Sequence, residues 1–201
     1  MNLNASPSVC FIVKACLVYG GVAFVFSMLG TVLPDAFVIG NPFEVSAATP
    51  EHVIGHIIWG LIAGLAFFSL RYIILAGLFS IVLDADHILQ FLEIEMIPRM
   101  AHSLPFILIA IVVMVLLFGK NDLRLIAVSI AAVFCHMSFD TILSGSTEFP
   151  VLAPFTSQFF IFSSVDWIIF QVIAVAVIIT ASVIVKINYS RYNFKQKFYS
   201  F

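Results

Sequence analysis

The chain has 201 residues, of which 62% are hydrophobic and only 10% charged, with a mean hydropathy of +1.15 and a formal net charge of −2. Soluble domains are about 45–50% apolar and about a quarter charged, so this is not the composition of a soluble protein. No basic patch points to nucleic acid. At about 20 apolar residues per span, the length holds five or six membrane-crossing helices with short loops and no second, soluble domain. Residues 1–201 therefore read as a single integral membrane domain, an all-α polytopic helix bundle of about six transmembrane helices.

In chain order, the first predicted span is 9–33. It lacks a positive n-region, and its apolar run of about 25 residues exceeds the roughly 7–15 of a signal-peptide core, so it reads as an uncleaved span. A loop rich in turn formers follows, from Pro34 to Pro50, with Gly40-Asn41-Pro42 inside it. Spans at 53–70 and 72–88 flank a short basic turn at Arg71, and the second of these is short. An acidic segment from Glu93 to Arg99 leads to a span at 103–119, where Ser103 suits a helix N-cap. The polar turn Gly119-Lys120-Asn121-Asp122 precedes a span at 124–143. The Ser144–Ser164 loop precedes the last, at 165–187. Cys10, Cys16 and Cys135 lack paired spacing and read as small buried residues. Trp59 and Trp167 read as interfacial anchors.

Basic residues orient a membrane chain, because cytoplasmic loops carry an excess of Lys and Arg. Arg71, Lys120, Arg124, Lys186, Arg191, Lys195 and Lys197 fall in the 2–3 turn, the 4–5 turn and the C-terminal tail. With six spans these share one side, which makes both termini cytoplasmic. Most of the acids sort to the opposite side. Acids contribute little to topology, so their segregation calls for a chemical explanation.

Ionisable groups at membrane depth cost about 2.5–3.5 kcal/mol each on insertion scales and mark functional sites by default. Here they are His52, His56, Asp84, Asp86, His87, Arg99, His102, His136 and Asp140. At about 1.5 Å per residue from the nearest basic anchor, they fall roughly 18–27 Å above the cytoplasmic boundary, in the outer third of the bilayer. His136 and Asp140, four apart, project from one helical face, as do His52 and His56, and Asp84 can share a face with His87. Imidazole with carboxylate is the ligand set of zinc and also suits manganese or iron. His56, Asp84, His87, His102, His136 and Asp140 are the candidate ligands for one or two divalent ions. His52, at the loop edge, is the weakest member of the cluster. Arg99 either clamps an anionic group such as a phosphate, or pairs with Glu93 or Glu95, or reaches to headgroups.

Gly55-His56, Leu83-Asp84-Ala85-Asp86-His87, Pro98-Arg99-Met100-Ala101-His102-Ser103 and His136-Met137-Ser138-Phe139-Asp140, followed by Gly145 and Pro154-Phe155, resemble in their order the motifs of the YdjM-type membrane-bound metal-dependent hydrolase family. The hydrolase-like motif core covers residues 50–156. Three family positions differ: Pro98 stands where the family has the first His of a His-Arg-Gly run, Met100 stands for its Gly, and the Pro of Leu-Pro-Asp is absent. The resemblance implies a multi-pass protein of a bacterial or archaeal plasma membrane with metal-dependent hydrolase activity.

Together these readings predict a membrane-embedded metal-dependent hydrolase with its site at the outer leaflet, zinc as the first choice of ion, and a lipid or lipid-linked (phospho)ester as substrate. A metal there would lower the pKa of bound water toward 7 and polarise the scissile bond. Asp86 is the candidate general base or second-metal ligand, and Arg99 the group that binds developing negative charge. Two rival readings use the same residues: a transporter or channel for metal ions or protons, and a non-catalytic scaffold with a structural metal. A carrier usually holds its cargo near the midplane, whereas here the inner halves of the spans carry no ionisable groups to continue a path.

Overall fold

The computed structural model describes the backbone of residues 7–45, 49–120 and 122–199, and the side chains of all of these but Pro7, Val45 and 191–199. Residues 46–48 of the predicted Pro34–Pro50 loop, Asn121 of the predicted polar turn, and the side chains of Arg191, Lys195 and Lys197 thus lie outside the described residues. The helices are α1 (Pro7–Met28), α2 (Pro42–Val45), α3 (Pro50–Gly64), α4 (Leu70–Val82), α5 (His87–Phe91), α6 (Leu104–Phe118), α7 (Leu123–Ser144) and α8 (Asp166–Tyr199). One antiparallel hairpin, β1 (Ser146–Phe149) with β2 (Phe160–Ser163), occupies the loop before α8, paired from Ser146↔Ser163 to Phe149↔Phe160.

Among the described residues, five stretches are long and apolar enough to cross a membrane: Ser8–Thr31, Pro50–Phe67, Leu70–Phe91, Leu123–Ser144 and Asp166–Ser190. The stretch predicted as the fourth of six spans is shorter. Ser103 caps α6 by accepting the Phe106 N–H at 3.3 Å, and Gly119 ends it with φ +95°, which leaves 15 residues. That is about 22 Å of helix against a hydrocarbon core of about 30 Å. The predicted short third span is longer than its sequence suggests, because α4 runs on through a 3₁₀ turn at Leu83–Asp86 into α5.

Helix α7 is the axis of the bundle. Within its span 72% of residues are buried, against 22% for the first and last spans, and it packs on α3, α4, α6 and α8. Helix–helix packing in a membrane gains nothing from expelling water, so close van der Waals fit must supply the attraction. The α3–α4 contact has that fit: a Cβ on Gly60 would lie 2.4 Å from the Ala76 carbonyl oxygen, and one on Gly77 2.8 Å from Leu61 Cγ. Tyr19 of α1 stacks on Phe79 of α4, centroids 4.2 Å apart, and donates its hydroxyl to the Ser129 carbonyl of α7 at 2.9 Å.

At one end of the bundle, Tyr72 donates to Asp122, whose Oδ1 also caps α7 by accepting from Leu125 N at 3.0 Å. Arg124 lies over the Tyr72 ring, and Arg71 donates to Ser8 Oγ. The predicted basic turns therefore meet at one end. The His/Asp residues of α7 begin 14 residues further on, roughly 21 Å along the helix. Two smaller expectations change. Cys10 is exposed, unlike Cys16 and Cys135. Trp59 does more than anchor: it donates to Ser138 Oγ at 3.0 Å, and Ser138 donates to the Trp167 carbonyl, so one relay joins α3, α7 and the start of α8.

Candidate metal centre

Each element delivers its ligand for a local reason. Thr49 caps α3 by accepting from His52 N at 3.3 Å, and Pro50 opens the helix. His52 is thereby a first-turn helical residue one turn below His56, with their Nε2 atoms 2.9 Å apart. Gly55 has no side chain where a Cβ would stand 2.0 Å from Phe139 Cζ, so the Phe139 ring can lie edge-on against His56. Asp84 sits where the α-helical course breaks, with ψ +24°, and this break lets Asp84 and Asp86 face different partners. On α7, His136 and Asp140 share a face, as their i, i+4 spacing requires.

The segment Arg99–His102 is held by its own backbone. Arg99 takes a left-handed conformation (φ +58°), gives its N–H to Asp86 Oδ2 at 2.9 Å, and accepts from His102 Nδ1 at 3.1 Å. A carbonyl can only accept, so His102 Nδ1 carries the proton and Nε2 is bare. His136 Nδ1 likewise donates to the Ser80 carbonyl at 2.5 Å, which turns Nε2 toward Asp84 and Asp140. Metal-ligating histidines typically show this arrangement, the far nitrogen fixed by a carbonyl so that the near lone pair points at the ion. Burial, with His136 beside it, holds the His102 imidazole well below the ordinary histidine pKa and so in the neutral, ligating form.

The Nε2 atoms of His52, His56, His102 and His136 converge on two carboxylates. Asp84 Oδ1 lies 3.1 Å from His136 Nε2 and 3.9 Å from His102 Nε2, and Asp84 Oδ2 lies 3.7 Å from His52 Nε2. Asp140 Oδ1 lies 3.1 Å from His56 Nε2, and Oδ2 3.5 Å from His136 Nε2. Three overlapping groups have all ligand atoms within 4.8 Å of one another: His52/His56/Asp140, His56/Asp84/His136 and His102/His136/Asp140. Around an ion with bonds near 2.0–2.1 Å, tetrahedral ligand atoms stand about 3.3–3.4 Å apart, and the nitrogen–oxygen separations here run from 3.1 to 3.9 Å. Asp84 Oδ2, Asp140 Oδ1, His102 Nε2 and His136 Nε2 are buried and accept no hydrogen bond. Buried polar atoms without partners are costly, and these four belong to one His/Asp cluster. The donor set and its unmet valences fit a divalent cation.

Of the residues singled out in the sequence, the structure thus gathers His56, Asp84, His102, His136 and Asp140, and adds His52, the one ranked weakest. Two lie at the margin. His87, 19% exposed, has Nε2 3.9 Å from Asp84 and Nδ1 3.9 Å from Asp86. Asp86 is committed to the Arg99 backbone and stands outside the three ligand groups. Arg99 pairs with neither Glu93 nor Glu95. Its Nη2 is 3.8 Å from Asp140, Nη1 donates to the Glu148 carbonyl at 3.2 Å, and the guanidinium lies over Phe149 with 34% of the side chain exposed.

Comparison of the chain with protein-family models, with curated proteins and with solved structures finds no match.

Proposed function

We propose that this chain is a six-span, metal-dependent hydrolase of the YdjM type in a bacterial or archaeal plasma membrane, with both termini cytoplasmic and its site at the outer leaflet. The observation that carries the reading is the convergence of four imidazoles and two carboxylates, among which Asp84 Oδ2, Asp140 Oδ1, His102 Nε2 and His136 Nε2 are buried without hydrogen-bond partners. Zinc suits an all-nitrogen-and-oxygen set without thiols, and manganese or iron are the next candidates. A bound ion supplies Lewis acidity toward the scissile bond and toward water.

The chain's own residues divide the remaining work. Arg99 stands at the rim beside Asp140 with part of its fork turned to the outside, so it binds and orients an anionic oxygen such as that of a phosphoester. Asp86, with Oδ2 held by the Arg99 N–H and Oδ1 buried without a partner, stays a candidate general base, and His87, partly open at the edge of the cluster with Nδ1 3.9 Å from Asp86, is a second one for taking the proton from an attacking water. A site at the end of a lipid-facing bundle favours a lipid or lipid-linked ester that enters sideways.

The test begins with elemental analysis of detergent-purified protein beside a His136→Ala/Asp140→Ala double variant, followed by hydrolysis assays on a panel of lipid phosphoesters. Metal in the wild type alone, together with turnover that Arg99→Ala abolishes while metal content stays constant, supports the reading. Bound metal with no hydrolysis across the panel leaves the non-catalytic scaffold. Metal flux into proteoliposomes without hydrolysis leaves the transporter, and no metal under any loading condition ends the metal hypothesis.

A further inference from the structure

We infer that the centre is built for two divalent ions, with Asp84 and Asp140 each bridging them and His52 serving as a ligand to one. The inference rests on the metal-binding reading above and concerns how many ions the site takes and which residues divide them.

Each carboxylate turns its two oxygens to opposite histidine pairs. Asp140 Oδ1 faces His56 at 3.1 Å and His52 at 3.9 Å, and Asp84 Oδ2 faces His52 at 3.7 Å. On the other side, Asp140 Oδ2 faces His136 at 3.5 Å, and Asp84 Oδ1 faces His136 at 3.1 Å and His102 at 3.9 Å. Two positions result, one bounded by His52, His56 and an oxygen from each Asp, the other by His102, His136 and the remaining oxygen from each. Each position holds two buried atoms without a hydrogen-bond partner, Asp140 Oδ1 and Asp84 Oδ2 in the first and His102 Nε2 and His136 Nε2 in the second, so a single ion would leave one pair unsatisfied.

Charge points the same way. Four neutral imidazoles and two carboxylates supply two negative charges, and Arg99, 3.8 Å from Asp140 Oδ2, is the one permanent cation beside them among the described residues. Two divalent ions give a centre of charge +2, which attracts an anionic ester and requires Arg99 to do no more than orient it. The stacked His56 and His136 rings, 3.7 Å between centroids and 11° from parallel, hold the two halves at close, fixed separation. The third ligand group, His56/Asp84/His136, spans both halves, so the positions adjoin and share their carboxylates. His52 lies outside the Gly-His pair of the family motif, and only the α3 cap at Thr49 places it in the site.

The experiment loads wild-type protein in detergent with Mn²⁺ or Zn²⁺ alone, removes excess ion, and measures ions per chain together with the Mn²⁺ electron paramagnetic resonance spectrum. Two ions per chain with an exchange-coupled Mn²⁺ spectrum is the expected result, and His52→Gln should reduce the count to one and leave an uncoupled spectrum. One ion per chain in the wild type, or two without coupling, overturns the bridged pair while the metal-dependent reading stands. No bound ion overturns both. The wild-type measurement decides the question even if the variant fails to fold.

Discussion

Asp140→Asn is the substitution that isolates the metal most cleanly. Asn keeps the shape of the side chain and removes its charge from a residue whose oxygens face His56, His52, His136 and Arg99 from a nearly closed position, 5% exposed. Loss of a residue that only supports a ligand costs about 10–100-fold in metal affinity, so loss of a carboxylate facing two histidine pairs should cost at least about 100-fold. Linkage converts this into stability: ion at about 1,000 times its Kd stabilises the fold by about 4.1 kcal/mol, and at ten times Kd by about 1.4 kcal/mol. The variant should therefore lose roughly 2.7 kcal/mol of metal-dependent stabilisation at the same ion concentration. The assay is thermal unfolding in detergent for each protein with and without chelator. Taking the difference within each protein cancels any intrinsic effect of the substitution. An Asn variant that keeps the full metal-dependent shift would refute the placement of Asp140 among the ligands.

Further outcomes follow from other parts of the bundle. Gly60→Ala puts a Cβ 2.4 Å from the Ala76 carbonyl and should cost about 1–3 kcal/mol of stability. It should also weaken metal binding, because α4 carries the Ser80 carbonyl that sets the His136 tautomer; unfolding titrations and metal affinity measured together would show both effects. Asp122→Ala removes the α7 cap and the acceptor for Tyr72 at the opposite end, at about 1–2 kcal/mol, and should leave the metal content unchanged. Metal loading should release protons and weaken as pH falls through about 6.5, since ligation requires neutral imidazoles. His102, whose pKa burial already depresses, should contribute least to that loss. Ion content at pH 7.5 and 5.5, with proton release followed in weak buffer, checks the sign.

The helical membrane architecture was legible because apolar runs are long and charges few, and ligand spacing survived because i, i+4 pairs on a helix leave little freedom. His136 with Asp140 is the clear case. What spacing could not show was how two stretches far apart in sequence meet. His52 looked peripheral because the start of α3 was placed at 53, although Thr49 followed by Pro50 is itself a helix-start signal that extends the helix over it. Nor does anything in the sequence announce that the Arg99 N–H, 13 residues on, meets one oxygen of Asp86. The close approach of α3 to α4 was written in Gly60, Gly64 and Gly77, small residues whose meaning emerges only once a partner helix is known.

The burial of α7 bears on how the chain is inserted. This helix carries His136, Ser138, Asp140 and Thr141, all buried, on a span that presents little of itself to lipid. Of its packing partners, α3, α4 and α6 precede it in the chain and can meet its polar face as it is made, whereas the flank that packs on α8 has no partner until α8 follows. Assembly of the membrane domain is thus ordered by chemistry as well as by synthesis, and ribosome-arrested chains ending before Asp166 should be cleared by membrane proteases faster than chains that include α8. Pulse-chase of the two forms would measure that difference.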